Sequence, residues 1–515
     1  TNYVKGNNSY TVFAGANYSH VDGTETWNNE NYQFPQSLFD RESYSKNSYR
    51  NHQEYMQFRY QNQKGKRYWV GKFTLVNLST PRNASSGFAK ESTETDVFSN
   101  IRKKSLSPKI DLNANLPLSK NQTLTLGVHG KYSANSYHRL YQEQPFETMT
   151  DEDEKALSFQ LSAIYNYFSQ KHSLSVELFH YHDVWNADYS GNCELWQHLW
   201  KGESLAFFSY NFQASRRLSL KTRIGLDWLQ YHLHGDNSFS QLSPRINTNV
   251  QYQLNKGMLL WSFNFVNSNH GMDVINRAMI QVNSHMMEKG MPELKKSHDI
   301  NTYLYYMGRF NRLSVSAIGQ FRYNHHPVTD DYYLDEANGK IVKTYSNGGN
   351  AQYYSAILAL QYKLCKFANL SGDIRYNHAE VKTTWSKHNN NLTGNLGLNM
   401  FMGDFALKPY LHFGKKSLDE AALVISKTPI DYGMSCSYSR GNLYVELQAV
   451  SPFKKQEKQY WLDLPIYSYS KSIKDQTASQ YASIKVAYSF DFGRKTQKVE
   501  KDVNKNINSS LLRVE

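Results

Sequence analysis

The chain has 515 residues and combines a polar average with many aromatic rings: aromatics make up 14% of residues, and the mean hydropathy is −0.68. No run approaches the roughly 20 apolar residues that a membrane helix needs, which excludes a helical membrane protein. A net charge of +13 is typical of proteins that bind nucleic acid. However, Lys and Arg are spread over turns, loops and polar faces and form no single stripe, so we expect no nucleic-acid partner.

A two-residue period of apolar and polar side chains recurs along the chain. Successive side chains of a strand point to opposite faces, so this period predicts strands with one apolar and one hydrated face. Soluble sandwiches share the period, so it does not by itself indicate a membrane protein. The clearest apolar positions, in chain order, are Leu218, Leu220, Ile224, Leu226 and Trp228; Leu370, Ile374 and Tyr376; and Ile484, Val486, Tyr488 and Phe490.

The connections between these segments alternate in length. Tight turns are predicted near 62–66, 118–122, 169–172, 214–217, 254–258, 309–312, 364–367, 402–404 and 440–442. Long polar connections are predicted near 21–50, 80–104, 135–157, 185–203, 269–296, 325–350, 379–388, 415–430 and 451–478, and a short one near 235–240. Membrane barrels have tight periplasmic turns and long external loops, whereas a soluble sandwich has no reason to sort its loops.

The predicted fold is therefore an all-β, transmembrane, antiparallel up-and-down barrel of about 20–22 strands, each of roughly 10 to 14 residues. The barrel is predicted over 1–493 and a polar periplasmic tail over 494–515, in the cell outer membrane. Within the tail, apolar residues recur every four positions, which favours a weak amphipathic helix or a frayed end. They are Val499, Val503, Ile507 and Leu511.

Aromatic residues near the predicted strand ends support a membrane setting. Their amphipathic rings suit the head-group level of a bilayer, although Tyr and Trp are also common in strands generally. The examples are Trp69, Trp185, Trp228, Tyr252, Trp261, Tyr376 and Tyr438. We therefore expect outer-membrane lipid and lipopolysaccharide as partners of the outer surface, with basic residues facing anionic head groups.

Three short segments resemble the barrel of TonB-dependent receptors, the large transporters of the outer membrane. Leu242-Ser243-Pro244-Arg245 is similar to a segment that opens a strand in those barrels. Lys289-Gly290-Met291-Pro292-Glu293-Leu294-Lys295 resembles the family's segment between a loop and the next strand, with Met291 in place of the usual Asn. The segment 487–495 is similar to their final strand.

The resemblance implies a plug domain inside the barrel and a contact with the TonB energy-coupling complex through it. Neither a plug nor the TonB-contacting segment is found in this sequence. The expectation is that the chain is a receptor portion that lacks its plug and its first hairpin; a chain complete as given would be a different kind of barrel.

Side chains on the hydrated strand faces would line a wide lumen. These are Glu177, Lys221, Arg223, Asp227, Gln320, Arg322, Lys363, Asp373, Arg375, Lys408 and Glu446. A barrel of about 20 strands is too wide for its own side chains to fill. The favoured interpretation is that these residues hydrate the lumen or pair with a plug. Direct contact with a transported substrate is the alternative, and Arg322 and Arg375 are the candidates for it.

The external loops are the better binding candidates, because they face the medium and vary without disturbing the barrel. Asn267, Asn269 and His270 are candidate ligand contacts. Together with His285, Met286, Met287 and Met291, they suggest a site for a soft metal ion, but their spacing is not diagnostic of one. Tyr332 and Tyr333 are candidates for stacking on a sugar or an aromatic ligand, and Tyr345, Tyr353 and Tyr354 lie near them in the sequence. Packing within the loops is the favoured interpretation of these side chains.

No arrangement in the sequence orients a nucleophile against a base, so we expect no enzyme, no catalytic residue and no cofactor. His325, His326, Asp330 and Asp331 are merely close in sequence. The function predicted first is energy-coupled uptake of an extracellular nutrient: a siderophore, metal complex, vitamin, glycan or peptide. A passive porin-like channel and a surface adhesion or assembly barrel are the alternatives. A surface lipoprotein is a possible further partner.

Overall fold

The structure is a computed structural model, and it describes residues 2–35, 37–236, 238–268, 271–454, 456–475, 480–488 and 505. In the first half, the strands are β1 (Asn2–Lys5), β2 (Asn8–Phe34), β3 (Ser37–Lys64), β4 (Arg67–Lys90), β5 (Glu94–Ser119), β6 (Gln122–Glu143), β7 (Phe146–Phe168), β8 (His172–Gly191), β9 (Leu195–Gln213), β10 (Leu218–Leu233), β11 (Phe239–Leu254) and β12 (Gly257–Ser268).

The second half begins with the only helix of the described residues, α1 (Met272–Ile275). The strands after it are β13 (Met279–Gln281), β14 (Met286–Lys289), β15 (Ser297–Phe310), β16 (Leu313–His325), β17 (Thr329–Asp335), β18 (Lys340–Ser346), β19 (Asn350–Cys365), β20 (Ala368–Lys382), β21 (Ser386–Met402), β22 (Phe405–His412), β23 (Lys415–Asp419), β24 (Val424–Thr428), β25 (Asp431–Arg440), β26 (Leu443–Val450), β27 (Lys458–Asp463), β28 (Tyr467–Lys474) and β29 (Tyr481–Tyr488).

Antiparallel neighbours form one large sheet that closes on itself. β2 to β12 pair in sequence order, and β15, β16, β19, β20 and β21 continue the sheet. Each of the last four strands of the barrel wall is broken into two segments: β22 with β23, β24 with β25, β26 with β27, and β28 with β29. Glu25–Tyr32 of β2 pair with Tyr467–Lys474 of β28 and close the barrel. Counted in this way, the described residues form twenty wall strands and the short β1, which confirms the predicted barrel.

All nine predicted tight turns are found at one end of the barrel. They join β3 to β4, β5 to β6 and so on around the sheet to the turn between β25 and β26. Several need a left-handed backbone, which Gly65, Gly403 and Gly441 provide with φ of 59°, 61° and 57°.

Most of the predicted long loops are wrong. The regions 21–50, 80–104, 135–157, 185–203 and 379–388 are extensions of the barrel strands, joined by turns as short as Gln144–Pro145. β3 has 28 residues instead of the predicted 10 to 14. At about 3.3 Å per residue it is about 90 Å long, far more than a bilayer needs. The extensions have polar residues on their outer face because water surrounds that face, so the sequence lacks the apolar alternation of a membrane strand.

The facing of the membrane segment is as predicted. On β10, the outward Leu226 is 51% exposed, while its inward neighbour Asp227 is 0% exposed. Ile374 and Tyr376 of β20 and Ile484 and Val486 of β29 are also exposed on the outer surface. One aromatic assignment is wrong: Trp185 is 9% exposed and faces inward, where it packs in a buried cluster above the membrane level.

The predicted tail at 494–515 and the end of the predicted barrel at 489–493 lie outside the described residues, with the exception of Lys505. Val499, Val503, Ile507 and Leu511 are among the positions not described. The Nζ atom of Lys505 lies 4.2 Å from the ring centroid of Tyr55 on β3. The boundary between barrel and tail therefore stays a prediction.

Candidate functional site

Two external connections fold inward and form a separate sheet across the mouth of the barrel. They are residues 271–296 and 326–349, and we call them the cap. Its four strands lie in the order β13-β14-β18-β17, with β14 and β18 parallel and the other pairs antiparallel. The parallel pair joins the two connections, so the cap is one structural unit built from two loops.

One side of the cap packs against the inner faces of β7 to β10. Ile275, Ala278, Ile280 and Leu294 of the cap form a buried cluster with inward residues of the wall. The wall residues of this cluster are Ala156, Trp185, Ala187, Tyr189, Leu199 and Leu233. Burial of apolar side chains on both partners holds this side of the cap in place.

A buried ion pair joins the end of the first cap connection to the wall. The Nζ atom of Lys296 lies 2.9 Å from Oδ2 of Asp227, and both side chains are 0% exposed. Arg245 donates to the same oxygen over 2.6 Å and also contacts Glu203 over 3.2 Å. Removing Asp227 would leave Lys296 as an uncompensated buried charge.

The opposite side of the cap packs against β2, β19, β20, β24, β27 and β28. Met286, Tyr332 and Ile341 of the cap share a second buried cluster with wall residues that include Tyr32 and Tyr467. Polar contacts also reach this wall. The backbone N–H of Asp330 donates to the carbonyl of Ala421 over 2.7 Å, and Trp385 Nε1 donates to Asp331 over 2.8 Å.

The cap also contacts the wall between these two sides. Arg139 of β6 donates to the carbonyl oxygens of Gln281 and Val282 over 3.0 and 2.6 Å. His285 Nε2 lies 2.9 Å from Glu91, in the turn between β4 and β5. The cap therefore contacts the wall on opposite sides and spans the external mouth.

A half-buried lysine links three strands of the cap. The Nζ atom of Lys343 on β18 lies 3.5 Å from Glu288 on β14 and 3.4 Å from Asp330 on β17. Burial alone lowers the pKa of Lys343, but the two carboxylates outweigh burial and leave its pKa above the ordinary value. Burial raises the pKa of both Glu288 and Asp330. For each acid, burial outweighs the favourable charge of Lys343, whereas for the lysine the two carboxylates together outweigh burial.

A second cluster of charged side chains lies at the barrel rim, on the side where the cap packs against β2 and β28. Arg41 of β3 contacts Glu30 over 3.0 Å and Glu143 over 2.7 Å. The Tyr467 hydroxyl donates to Glu30 over 2.7 Å. Burial raises the pKa of Tyr467, as do the neighbouring Glu30 and Tyr32. The group joins β2, β3, β6 and β28, so it stabilises the closure of the barrel at the cap.

The lumen below the cap is lined with polar and charged side chains, as the alternation predicts. Glu177 on β8 and Arg223 on β10 form an ion pair of 2.7 Å across the intervening β9, and Arg375 contacts Asp373 over 2.7 Å. A cavity of about 660 Å³ lies along the C-terminal strands, where Asp373, Lys408 and Glu446 are among its lining residues. This wall is hydrated and accommodates charge.

The predicted ligand contacts do not form one site. Asn267 is buried and donates to the carbonyl of Pro244 over 3.1 Å. Tyr332 is 6% exposed within the second cluster, whereas Tyr333 faces away from it and is 41% exposed. Arg322 on β16 pairs with Glu420, whereas Arg375 pairs with Asp373 within β20. Asn269 and His270 lie outside the described residues.

The residues that suggested a soft-metal site have other contacts. His285 contacts Glu91 and lies against the ring of Phe39, with centroids 4.4 Å apart, and Met286 is buried in the second cluster. Within the described ranges, no three His, Cys, Asp or Glu side chains are arranged to hold a metal ion.

The cap is the feature that the sequence did not predict. The second connection does alternate, with Ile341, Lys343 and Tyr345 on one face of β18 and Val342 and Thr344 on the other. That short period indicates strands inside a region expected to be a loop. The pairing of β14 with β18 joins residues more than 50 positions apart, so no local pattern indicates it.

No protein-family model matches the chain, and no curated protein matches it either. Solved structures do match. The copper transporter OprC aligns with a TM-score of 0.57 and 10% identity over 88% of this chain and 80% of that chain. The ferric citrate transporter FecA in its unliganded form aligns with a TM-score of 0.53 and 10% identity, over 88% of this chain and 78% of its own. The fold is that of the TonB-dependent receptor barrel.

The siderophore receptor PirA from Acinetobacter baumannii is similar to the same extent, with a TM-score of 0.51 and 10% identity over 88% of this chain and 80% of that chain. Two of these proteins are transporters, of copper and of ferric citrate, and the third is a siderophore receptor. Among the described residues, no helix has the length and apolar character to cross a membrane.

Proposed function

We propose that the chain is the outer-membrane barrel of a TonB-dependent receptor that imports a scarce extracellular nutrient. The nutrient would be a siderophore, metal complex, vitamin, glycan or peptide. One observation carries the proposal: the cap contacts opposite walls of a wide, polar barrel and spans its external mouth. A mouth covered in this way suits controlled entry of a bound solute more than free diffusion.

In this proposal, entry requires the cap to move. TonB would supply the energy through a plug domain of the family type, and a surface lipoprotein would be an additional partner. Tyr333, Arg322 and Arg375 are proposed ligand contacts, since their side chains are partly exposed. Tyr332 is buried under the cap, so it would meet a ligand only after the cap opens. Asn267 is buried against β11 and β15, where it contacts Pro244 and His298. Asn269 and His270 remain candidates from the sequence.

Uptake by whole cells tests the proposal. Cells with and without the gene would receive labelled ferric siderophores, copper, cobalamin and oligosaccharides, each with and without a protonophore. We expect gene-dependent accumulation of one class that the protonophore abolishes. Accumulation that continues without a proton gradient would support a passive channel instead, and surface binding with no accumulation would support an adhesion barrel.

Conductance in planar bilayers separates the receptor from a porin more directly. The capped chain should conduct poorly, and a variant in which 272–294 and 328–347 are replaced by short Gly-Ser linkers should form large, steady pores. A capped chain with the same steady conductance as the shortened variant would contradict the proposal.

A further inference from the structure

A row of side chains on the inner wall of β3 to β6 lies at one level of the barrel. On β3, Met56 is exposed on the outer surface, so its neighbour Tyr55 faces the lumen. Tyr55 is the register partner of Val76, and Val76 is the partner of Ser107. The Oγ atom of Ser107 lies 3.1 Å from Oγ of Ser133 on β6. We call Tyr55, Val76, Ser107 and Ser133 the inner row.

This wall is covered, although it borders the lumen. Val76 and Ser107 are 0% exposed, and Gln57, on the same face of β3 as Tyr55, is buried as well. The opposite wall differs. Gln361 and Ser371 line the open cavity along the C-terminal strands, where Gln361 is exposed and Ser371 is partly exposed. Side chains of the same kind are thus covered on one wall and open on the other.

The cap lies further out than the inner row. It contacts this side of the barrel at Glu91, in the turn between β4 and β5, and at Arg139 of β6. Arg139 is six residues beyond Ser133 along β6. At about 3.3 Å per residue, this separation is about 20 Å along the strand. A segment other than the cap therefore covers the inner row.

One residue of the C-terminal tail lies at this wall. The Nζ atom of Lys505 is 4.2 Å from the ring centroid of Tyr55. The Tyr55 ring folds over Gly15 of β2, because a Cβ atom added to Gly15 would lie 2.5 Å from the Tyr55 hydroxyl oxygen. The glycine thus leaves room for the ring to lie along the wall. A ring in this position presents a face to the lumen, where it attracts a cation.

The path of the chain brings the tail back into the barrel. β29 ends at Tyr488, which pairs with Leu443 beside a tight turn. Tyr55 lies nine residues from Lys64, where β3 meets its own tight turn. At about 3.3 Å per residue and a tilt near 45°, this places Tyr55 about 20 Å inside the barrel. Lys505 follows Tyr488 by 17 residues. Such a segment spans about 25 Å even as a helix, so it reaches Tyr55.

The composition of the tail suits this wall. Residues 494–515 contain six Lys or Arg and three Asp or Glu, with Asn or Ser at 504, 506, 508, 509 and 510. Amide and hydroxyl side chains both donate and accept hydrogen bonds. The inward side chains of the wall include Gln53, Gln57 and Thr74, which are partners of the same kind. The apolar residues at four-residue spacing in the tail would give a helix one face for Val76.

We propose that the C-terminal tail, residues 494–515, folds back into the lumen and packs along the inner row, with Lys505 against the ring of Tyr55. The tail covers the wall of β2 to β6 and narrows the lumen from that side. The cavity of about 660 Å³ along the C-terminal strands stays open beside it. The proposal differs from the periplasmic position predicted for this segment, and it holds whichever solute the barrel admits.

Cross-linking tests where the tail lies. The three cysteines of the full chain are first replaced by Ser. One variant then carries Asn504→Cys with Gln57→Cys, and the matched control carries Asn504→Cys with Gln361→Cys on the opposite wall. Both are treated with a short bismaleimide in purified outer membranes. We expect the first pair to cross-link and the second to remain separate. Cross-linking of both pairs to the same extent, or of neither, would overturn the proposal.

Proteolysis tests the contact between Lys505 and Tyr55. Proteinase K is added to purified outer membranes, and mass spectrometry follows the loss of residues 494–515. A tail held in the lumen is cut only while it is released, so the cleavage rate follows the released fraction. We expect slow cleavage in the unaltered chain. Lys505→Gln and Tyr55→Leu should each be cleaved about tenfold faster, as the loss of a desolvated contact between a cation and a ring predicts.

Two matched controls accompany these variants. Lys495→Gln removes the same charge near the start of the tail, and Tyr305→Leu removes a ring that lines the open cavity. Both should be cleaved at the rate of the unaltered chain. Equal acceleration in the controls would overturn the proposal, as would immediate cleavage of the unaltered tail. Heat-modified migration on gels checks folding, and Lys505→Gln lies outside the strands, so it serves if Tyr55→Leu does not fold.

Discussion

On β10, Ile224 and Leu226 face outward and are half exposed, whereas Leu229 and Leu233 of the same strand face inward and are buried. The two halves of the barrel thus place apolar side chains on opposite faces. In the belt half, near the tight turns, hydrocarbon lies outside and polar groups line the lumen. In the external half, water lies outside and the cap supplies an apolar interior. The solvent on each face decides which side chains it carries, and the two-residue period is common to both halves.

The largest effect is expected where the two halves meet, at the buried pair of Asp227 and Lys296. Asp227→Ala leaves Lys296 buried without its carboxylate, so we expect a loss of about 3–5 kcal/mol in the free energy of unfolding, measured with urea in lipid vesicles. The double variant Asp227→Leu with Lys296→Met should recover most of it. A single variant as stable as the unaltered chain would mean that the cap is not tethered at this point.

A charge on the outer face separates the halves on a single strand. Ile224→Arg lies in the belt half and should cost about 2–4 kcal/mol if it is near the bilayer midplane. Gln230→Arg lies on the same face of β10, six residues further along, and should cost less than about 1 kcal/mol. Urea unfolding in vesicles compares the two. Equal losses would mean that the apolar band extends beyond Gln230.

This difference between the halves also explains how far the sequence could be interpreted. In the belt half, the described strands follow the predicted alternation, because lipid imposes an apolar face that alternation reveals, as in Leu220 to Trp228. The external half was interpreted as loops, because segments such as Ser43 to Asn51 are polar on both faces and their pairing shows no local pattern. Among the predicted ligand contacts, Arg322 and Arg375 were selected as lumen residues and the others as loop residues. Tyr332 is instead buried where the cap meets the wall, and Asn267 is buried against β11 and β15.

Acidity should influence the cap but not the belt half. Burial raises the pKa of Glu288, so the closed cap binds this proton more tightly than an opened cap does. The contribution of Glu288 is therefore present in acid and is lost as the pH rises from the ordinary carboxyl value through the raised one. We expect more frequent channel openings in planar bilayers as the pH rises over this range. Glu288→Gln should flatten the dependence, and an unchanged dependence in that variant would exclude Glu288 as its source.

The smallest expected effect concerns an aromatic pair on the outer face of the external half. Trp27 of β2 and Tyr44 of β3 are register partners with ring centroids 4.4 Å apart. Water surrounds this face, so Trp27→Ala should remove only the ring pair and a little buried area, about 0.5–1.5 kcal/mol. Trp261, on the outer face of the short strand β12, should cost more when it is replaced by Ala, because its ring would also lose contact with the membrane. Comparing both variants in vesicles and in detergent isolates the lipid contribution. A Trp27 variant that loses stability only in vesicles would place the external half in the bilayer and would contradict the division between the two halves.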